Sequence, residues 1–256
     1  AVTVGSLLMS GTSPSITNST GTSSLVVSGI STLANTVTTS GLQTYTGAVT
    51  LGANTTLSTG SSAGNILFGS TVDGAFTLTT ITTGGTTFTA AVGGTPLTGL
   101  TVTTATLSAG DITLVSNAAL SITNSGAGSV TGIITGLSVT LTKTDSGRLT
   151  LSGANTYGGN TTVSGGILAV SSTGTLGNNA STLTINSATV DLQRAVTVGS
   201  LLMSGTTPAI TNSTGTSSLV VSGISTLANS VTTTGLQTYT GAVTLGANTS
   251  LSTGSS

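Results

Sequence analysis

The sequence predicts an all-β protein built of stacked coils, a β-solenoid with essentially no α-helix. Three observations predict it: a chain almost without charge, one long internal repeat, and many short stretches in which apolar and polar residues alternate. Alternation with a period of two is typical of strands, and self-similarity at a fixed period is typical of solenoids. Aromatic residues make up 2% of the chain, too few for the core of an ordinary β-sandwich.

The composition excludes several classes of protein. Charged residues are 3% of the 256 residues, against about 25% in an ordinary soluble domain. Hydrophobic residues are 36% and the mean hydropathy is +0.47, which argues against disorder. The most apolar stretches are short and interrupted, so we predict no membrane insertion. Three scattered cations cannot form the basic patch that nucleic acid or anionic lipid requires, so we predict no nucleic-acid partner.

The strongest signal is an internal repeat. Residues 1–62 return as residues 195–256, 194 positions later, with small-for-small differences at only five positions. We interpret 1–194 as one full tandem unit of the solenoid and 195–256 as the start of the next, with no separate globular domain. We expect the chain to be part of a longer array, since solenoids usually end in polar caps and neither end resembles one.

Within each unit, strands and turns follow one another closely. Stretches such as 24–39, 45–60 and 97–116 alternate apolar with polar residues and are rich in Val, Ile and Thr, as strands prefer. Gly, Asn and Ser-Gly separate them and predict turns. With coils of about 20 residues, one unit would hold nine or ten coils. Asparagines at turns are expected to form hydrogen-bonded ladders: Asn54, Asn155, Asn160, Asn178 and Asn179.

One stretch resembles a known family. Residues 147–170 read GRLTLSGANTYGGNTTVSGGILAV, which resembles the passenger-associated strand repeat of bacterial autotransporters. Residues 42–57, LQTYTGAVTLGANTTL, are similar to strand repeats of giant filamentous-haemagglutinin-like surface proteins. The resemblance implies a right-handed parallel β-helix, secreted to the bacterial cell surface, that serves as an adhesin, a surface fibre or a secretion stalk. It implies no catalytic residue.

The sequence lacks the residue types that most catalytic sites need. Without His or Cys there is no Ser–His–Asp triad, no cysteine nucleophile and no usual transition-metal ligand. Four aspartates remain, and a pair of them across neighbouring coils would suit polysaccharide hydrolysis. None stands in an acidic cluster, and single acids beside glycine favour turn residues over calcium ligands. We therefore predict no enzyme, no metal and no cofactor. The aspartates are Asp73, Asp111, Asp145 and Asp191.

The few charges suggest the one candidate contact site. Lys143, Asp145 and Arg148 form the densest cluster, and Asp191 and Arg194 lie at the join between the units. One interpretation is a solvated loop with a weak surface ion pair, worth about 0–1 kcal/mol. The other is an inter-chain contact between fibres, for which these five residues are the candidates.

Tyrosines and threonines offer two further alternatives. Tyr45, Tyr157 and Tyr239 share the context T-Y-x-G, which predicts a structural role at a turn, with carbohydrate stacking as the alternative. T-x-T triplets such as Thr101–Thr103 would resemble an ice-binding surface if they were aligned. Their spacing along the sequence is not constant, so strand propensity explains them better.

The function we predict is structural. The chain would be a component of an extracellular bacterial fibre, sheath or surface layer, whose partners are copies of itself. Low charge favours that association, because it removes the repulsion that keeps proteins apart. The alternative is an adhesin stalk that binds host, polysaccharide or sister cells, with carbohydrate surfaces as possible partners. A polysaccharide-degrading β-helix and an ice-binding solenoid are weaker alternatives.

Overall fold

The protein is a β-solenoid whose strands are all parallel to those of the neighbouring coils. The computed structural model describes residues 1–18, 21–60 and 62–254. The described chain contains only strands, turns and loops and winds through about 12 turns. Among these residues no helix is long and apolar enough to span a bilayer. The predicted all-β, parallel, coiled architecture is confirmed.

Each coil contributes strands to three parallel ladders, which we number in the order in which the chain visits them. Ladder 1 contains the Tyr45 strand, stacked on strands of the preceding and following coils. The strands that belong to ladder 1 alone are Val2–Val4, Leu25–Val27, Gln43–Tyr45, Ile66–Phe68, Gly85–Phe88, Thr106–Ala109, Ala127–Val130, Arg148–Leu151, Ile167–Val170, Thr189–Leu192 and Ala209–Thr211.

Ladder 2 follows ladder 1 in each coil. Loops replace its strands near 153–157 and 174–176, where the amides of Thr156 and Thr175 bond to Ile134 and Gly153 of the preceding coils. Its own strands are Leu7–Leu8, Val72–Asp73, Val92–Leu97, Ile112–Leu114, Ile134–Thr135, Ala195–Val198, Ser218–Val221 and Gln237–Tyr239.

Ladder 3 completes the coil. Its own strands are Ser15–Ile16, Thr77–Ile81, Gly99–Thr104, Ala119–Asn124, Thr140–Thr144, Thr161–Val163, Thr182–Asn186 and Ser200–Ser204. Four longer strands bend around a corner and serve two ladders: Ser31–Thr38 and Val49–Ser58 serve ladders 2 and 3, and Ser225–Thr233 and Val243–Thr253 serve ladders 3 and 1.

The coils differ in length, yet their strands stay aligned from one coil to the next. Register partners on adjacent coils lie 18 residues apart for Leu25 and Gln43, and 24 apart for Leu7 and Ser31. The difference is taken up in the corner loops, because the strands themselves are held by backbone hydrogen bonds from coil to coil. The predicted coil of about 20 residues agrees with this range.

The core runs along the axis of the coils. In Arg148–Leu151, Leu149 and Leu151 are fully buried and alternate with outward-facing residues, as the two-residue period of a strand requires. On ladder 1 three inward aromatic rings stack in consecutive coils, with centroids 5.5 Å apart for Tyr45 and Phe68 and 4.9 Å apart for Phe68 and Phe88.

The second copy of the repeat does not lie directly below the first. Ladder 1 continues without a break to Ile210 and Val231. Their equivalents in the first copy, Ile16 and Val37, lie on ladder 3. Each copied strand has therefore moved to the next ladder, which is about one third of a turn.

The amount of winding in one unit explains this shift. Nine register steps along ladder 1 lead from Val2 to Val190. The next strand holds Val196, the equivalent of Val2, and follows Val190 into ladder 2 beside Gly174, whose carbonyl accepts a bond from Arg194. One unit is thus nine coils and a third, within the nine or ten expected.

The two copies also show what the next coil contributes. Val49 is 1% exposed and its copy Val243 is 45% exposed; Leu51 is 2% exposed and its copy Leu245 is 66% exposed. The residues are identical, but within these 256 residues a following coil covers only the first copy. A coil therefore buries its apolar side chains against the next coil as well as within itself.

This difference predicts unequal costs for one substitution. Val49→Ala should destabilise the fold by about 2 kcal/mol, because it removes two fully buried methyl groups and leaves a cavity. In the 256-residue chain, where no following coil covers it, Val243→Ala should cost less than about 0.5 kcal/mol, because that side chain is 45% exposed. Guanidinium unfolding of the two variants measures the difference; equal costs would contradict coil-on-coil burial.

Candidate functional site

The five candidate charges separate into four places. Lys143 lies inside the coil stack, Arg148 and Asp191 form a pair on the outside of ladder 1, and Arg194 borders a cleft at the join between units. Asp145 is exposed at a corner, where its carboxylate accepts a hydrogen bond from the amide of Ser146 at 2.7 Å. The proximity of Lys143, Asp145 and Arg148 in sequence does not bring their charged groups into one cluster.

Lys143 is fully buried, which corrects the interpretation of its segment as a solvated loop. Its register partners on ladder 3 are the apolar Ile122 and Val163, so the strand alternation directs its side chain inward. The ammonium donates hydrogen bonds to the carbonyls of Asp145 at 2.8 Å and Gly165 at 3.3 Å, and also to that of Thr144.

The Lys143 ammonium continues an inward polar column at the corner between ladders 3 and 1. In earlier coils Thr82, Thr104 and Asn124 donate to corner carbonyls in the same way, for instance Asn124 to Gly126. In the Lys143 coil the corner residue Asp145 has a positive φ of 68° and is exposed. The lysine supplies the donors that the corner carbonyls need when buried.

Burial changes the acidity of this lysine. The pKa of Lys143 falls from 10.5 to about 8, because burial opposes the charged form; nearby Asp145 counteracts this in part. The unfolded chain therefore binds the proton more tightly than the folded chain does. The penalty for burying the charge is complete below pH 8 and disappears as the pH rises toward 10.5.

Raising the pH from about 7 to about 9.5 is expected to stabilise the fold by about 2 kcal/mol through Lys143. Guanidinium unfolding midpoints across this range measure the effect. Lys143→Met, which keeps the apolar stem, should lack the slope, and an equal slope in both proteins would contradict the assignment. The buried phenols of Tyr45 and Tyr157 oppose the trend only above about pH 10, where they ionise in the unfolded chain.

Arg148 and Asp191 form an ion pair that spans two coil steps. Arg148 stacks on Ile167, which stacks on the strand of Asp191, and the small Ala169 between them leaves room for the guanidinium. Asp191 is 1% exposed. It also accepts hydrogen bonds from the hydroxyl of Ser213 at 2.6 Å, the amide of Ser213 at 2.8 Å and the side chain of Gln193 at 3.0 Å.

These donors decide the protonation of Asp191. Burial alone would raise its pKa, but the hydrogen bonds from Ser213, Arg148 and Gln193 favour the carboxylate and hold its pKa below the ordinary value of 3.8. The pair is a longitudinal clamp within one chain, from the passenger-like segment to the last coil of unit 1–194, and Ser213 of the next unit bonds to the same carboxylate. Sequence reasoning placed both residues among the candidates without pairing them, because they lie 43 positions apart.

Arg194 lies at a cleft at the join between the units. Its guanidinium donates to the carbonyl of Gly174 at 3.0 Å, and the cleft has a volume of about 280 Å³. Lys143, Arg148, Asp191 and Arg194 all bond within their own chain. An inter-chain contact through these residues stays a prediction.

The other aspartates link neighbouring coils. Asp73 accepts the amide of Thr95 at 3.0 Å and Asp111 accepts the amide of Ile133 at 2.7 Å, each 22 residues further along the chain. The expectation that they would bond to their own turns was wrong, because the stacked coil places a following amide closer. Across the described ranges, no group of three or more His, Cys, Asp or Glu side chains could hold a metal ion.

Two of the three tyrosines lie in the core. Tyr45 and Tyr157 are fully buried, and their hydroxyls meet Gln43 at 3.0 Å and Thr161 at 2.7 Å. Burial raises the pKa of both phenols far above the usual range. Sugar stacking on these two rings is therefore ruled out, and the predicted turn role was wrong for Tyr45, which lies in a strand.

The turn asparagines bond to the backbone of adjacent coils. Asn54 accepts from the amide of Thr77, and Asn160 accepts from the amide of Thr182, both at 3.0 Å. Asn155 bonds to coils on both sides, while Asn178 caps its own turn. The expected cross-coil bonding is present, but through side chain to backbone rather than from one asparagine to the next.

The outer side of ladder 3 carries aligned rows of side chains that could not be recognised from their spacing in the sequence. Its outward side chains, half-buried and hydroxyl-bearing, fall into register from coil to coil, although sequence spacing had argued against alignment. We call this surface the hydroxyl face. Its first row is Thr36, Thr56, Thr79, Thr101, Ser121, Thr142, Thr162 and Thr184; its second is Thr38, Ser58, Thr103, Thr123 and Thr144, with Ile81 taking one position.

The fold and these surfaces define a repetitive parallel β-solenoid without a recognisable catalytic centre among the described residues. Residues 141–170 match the family model of the passenger-associated-transport-repeat. The chain is therefore similar to the repeat proteins of autotransporter passengers, as its sequence indicated. That family is associated with secreted or surface-exposed proteins. Comparison with curated proteins gives no match, and comparison with solved structures gives none.

Proposed function

We propose that the chain is a structural component of an extracellular bacterial fibre, sheath or surface layer, in which tandem units form one continuous rod that associates with other copies. The observation that carries the proposal is the join between the units. Ladder 3 passes from Ile185 to Met203, and ladder 1 from Val190 to Ile210, with unbroken parallel register. Successive units would thus form a stiff rod rather than domains on a flexible linker.

The sparse exterior charge supports association of such rods. Of the seven charged side chains, Lys143 is buried and Arg148 is paired with Asp191. Few charges remain to repel a second copy, and net charge near zero favours association. Attraction between such surfaces should depend little on salt, because it does not rest on charge.

Sedimentation velocity and electron microscopy test the proposal. The protein, concentrated in steps, should form rods or bundles, to a similar extent in about 50 mM and about 1 M NaCl. A protein that remains a monomer at every concentration and salt would overturn it. Assembly that disappears in high salt would show that charge, rather than the uncharged exterior, drives association.

The match to a passenger repeat also favours a second candidate, an adhesin stalk. Such a stalk would hold a binding domain away from the cell and need not bind other copies. Binding of the monomer to immobilised polysaccharides or to cells, without self-assembly, would support this candidate over the fibre.

A further inference from the structure

We propose that the hydroxyl face of ladder 3 is the surface through which one rod binds another copy of this chain, and that it moves to the next side of the rod in each unit. The inference rests on the proposed self-association and names its surface. It commits to one occupant, the hydroxyl face of a second copy.

The geometry of the face points to a partner with the same period. Outward side chains on adjacent coils are about 4.8 Å apart, and the two rows, two residues apart along each strand, are about 7 Å apart. Another copy of the chain has the same spacing along its axis, since its coils are stacked by the same backbone hydrogen bonds. Threonine and serine hydroxyls both donate and accept hydrogen bonds, so two such faces are complementary to each other.

Most of the charge is directed away from this face. Arg148 and Asp191 pair on ladder 1 and Asp73 lies on ladder 2, while Lys143, on ladder 3, points inward and is buried. Asp145 follows Thr144 at the corner with ladder 1 and is exposed at the edge of the face. Apart from this carboxylate, the contact would bury no charge and would not carry the desolvation cost of buried charges. Regular neutral side chains stacked on identical partners pack closely in cross-β assemblies.

The third-of-a-turn shift then places the face on a different side in the next unit. The first two residues of the face, Thr36 and Thr56, correspond to Ser230 and Ser250 in the second copy. These serines pair with each other on ladder 1. An array of such units would meet neighbours on three sides, and the face would return to the same side after three units, about 28 coils or about 130 Å.

The first experiment tests the face with charge. In Thr101→Lys/Ser121→Lys, two adjacent coils of the hydroxyl face carry like charges that would meet those of a partner. The matched control is Thr113→Lys/Thr135→Lys, which places the same pair on two adjacent coils of ladder 2. Sedimentation velocity and electron microscopy should show at least a tenfold loss of lateral association in the first variant and little change in the control.

The outcomes separate this inference from the proposed function. Equal loss in both variants, or no loss in either, would overturn the hydroxyl face while leaving a self-associating rod. A wild-type protein that never assembles would overturn both. A monomer that shapes ice crystals, with the activity lost in Thr101→Lys/Ser121→Lys, would make ordered water the occupant and overturn binding of a second copy.

The second experiment tests whether the second copy of the repeat is rotated by one third of a turn, and it can be done on a single chain whether or not the chains associate. Because the chain has no cysteine, one engineered pair can form one disulfide. Thr189→Cys/Ala209→Cys joins register partners on ladder 1, within disulfide reach, and should oxidise readily. Thr184→Cys/Ala209→Cys should not, because the two strands lie on different ladders. Mass spectrometry detects the disulfides. Oxidation of Thr184→Cys/Ala209→Cys but not of Thr189→Cys/Ala209→Cys would mean that one unit contains a whole number of coils, and would overturn the rotation.

Discussion

Gly153→Ala is expected to cost about 3 kcal/mol or more of folding stability, although it adds only one methyl group. A Cβ at this glycine would lie 1.8 Å from the carbonyl oxygen of Gly132 and 2.4 Å from its carbonyl carbon. Both atoms belong to the backbone of the preceding coil, so they cannot move without disturbing the stack. Guanidinium unfolding monitored by circular dichroism measures the loss.

The same corner of the rod contains a matched control. Gly110 precedes Gly132 and Gly153 by one and two coils, yet a Cβ there would meet no atom within 4 Å. Gly110→Ala should therefore be neutral or stabilise the fold by about 0.5 kcal/mol, because it restricts the unfolded chain. Similar losses at both glycines would show that close approach of the coils is not the reason for glycine at this corner.

Asp191→Ala is expected to cost about 3 kcal/mol at neutral pH. The change removes a buried carboxylate that pairs with Arg148 and accepts bonds from Ser213 and Gln193. Hydrogen bonds to charged groups contribute about 1.5–3 kcal/mol each, and donors left buried without a partner add to the loss. Unfolding midpoints of the variant and the wild type measure it.

The pH dependence gives this prediction its second part. Because the pKa of Asp191 is lowered in the folded protein, its contribution is present above the ordinary pKa and is lost as the pH falls through the folded value. The gap between variant and wild type should therefore narrow below about pH 4. Asp73→Ala is the control: its carboxylate accepts one exposed backbone amide, and its loss should cost less than about 1 kcal/mol.

The sequence predicted the architecture well because the alternation of apolar and polar residues is visible within each single strand. In the segment around Leu149 and Leu151 the apolar residues alternate with Thr and Ser, so the buried side of the strand can be assigned without coordinates. Small residues and frequent glycines favour narrow coils, and the resemblance of 147–170 supplied the parallel arrangement that the structure confirms.

The candidate site was predicted less well because it depends on neighbours remote in sequence. Both interpretations of the Lys143 segment placed its charge at the surface, whereas its register position between Ile122 and Val163 directs the side chain inward. The alternation of its strand, TLTKT, was the available signal: position 143 follows Leu141 on the inward side. The partner of Arg148 could not be predicted, since two coils of unequal length separate it from Asp191.

By itself, the sequence determined that this chain is a charge-poor, repetitive stack of parallel strands, because alternation, composition and duplication are local properties of the residues. The tertiary structure alone decided the register of the coils, and with it the hydroxyl face, the Arg148–Asp191 clamp and the third of a turn gained in each unit. Backbone hydrogen bonds between coils align the strands and leave the corner loops to absorb coils of 18 to 24 residues, so equal spacing in space need not appear as equal spacing in sequence.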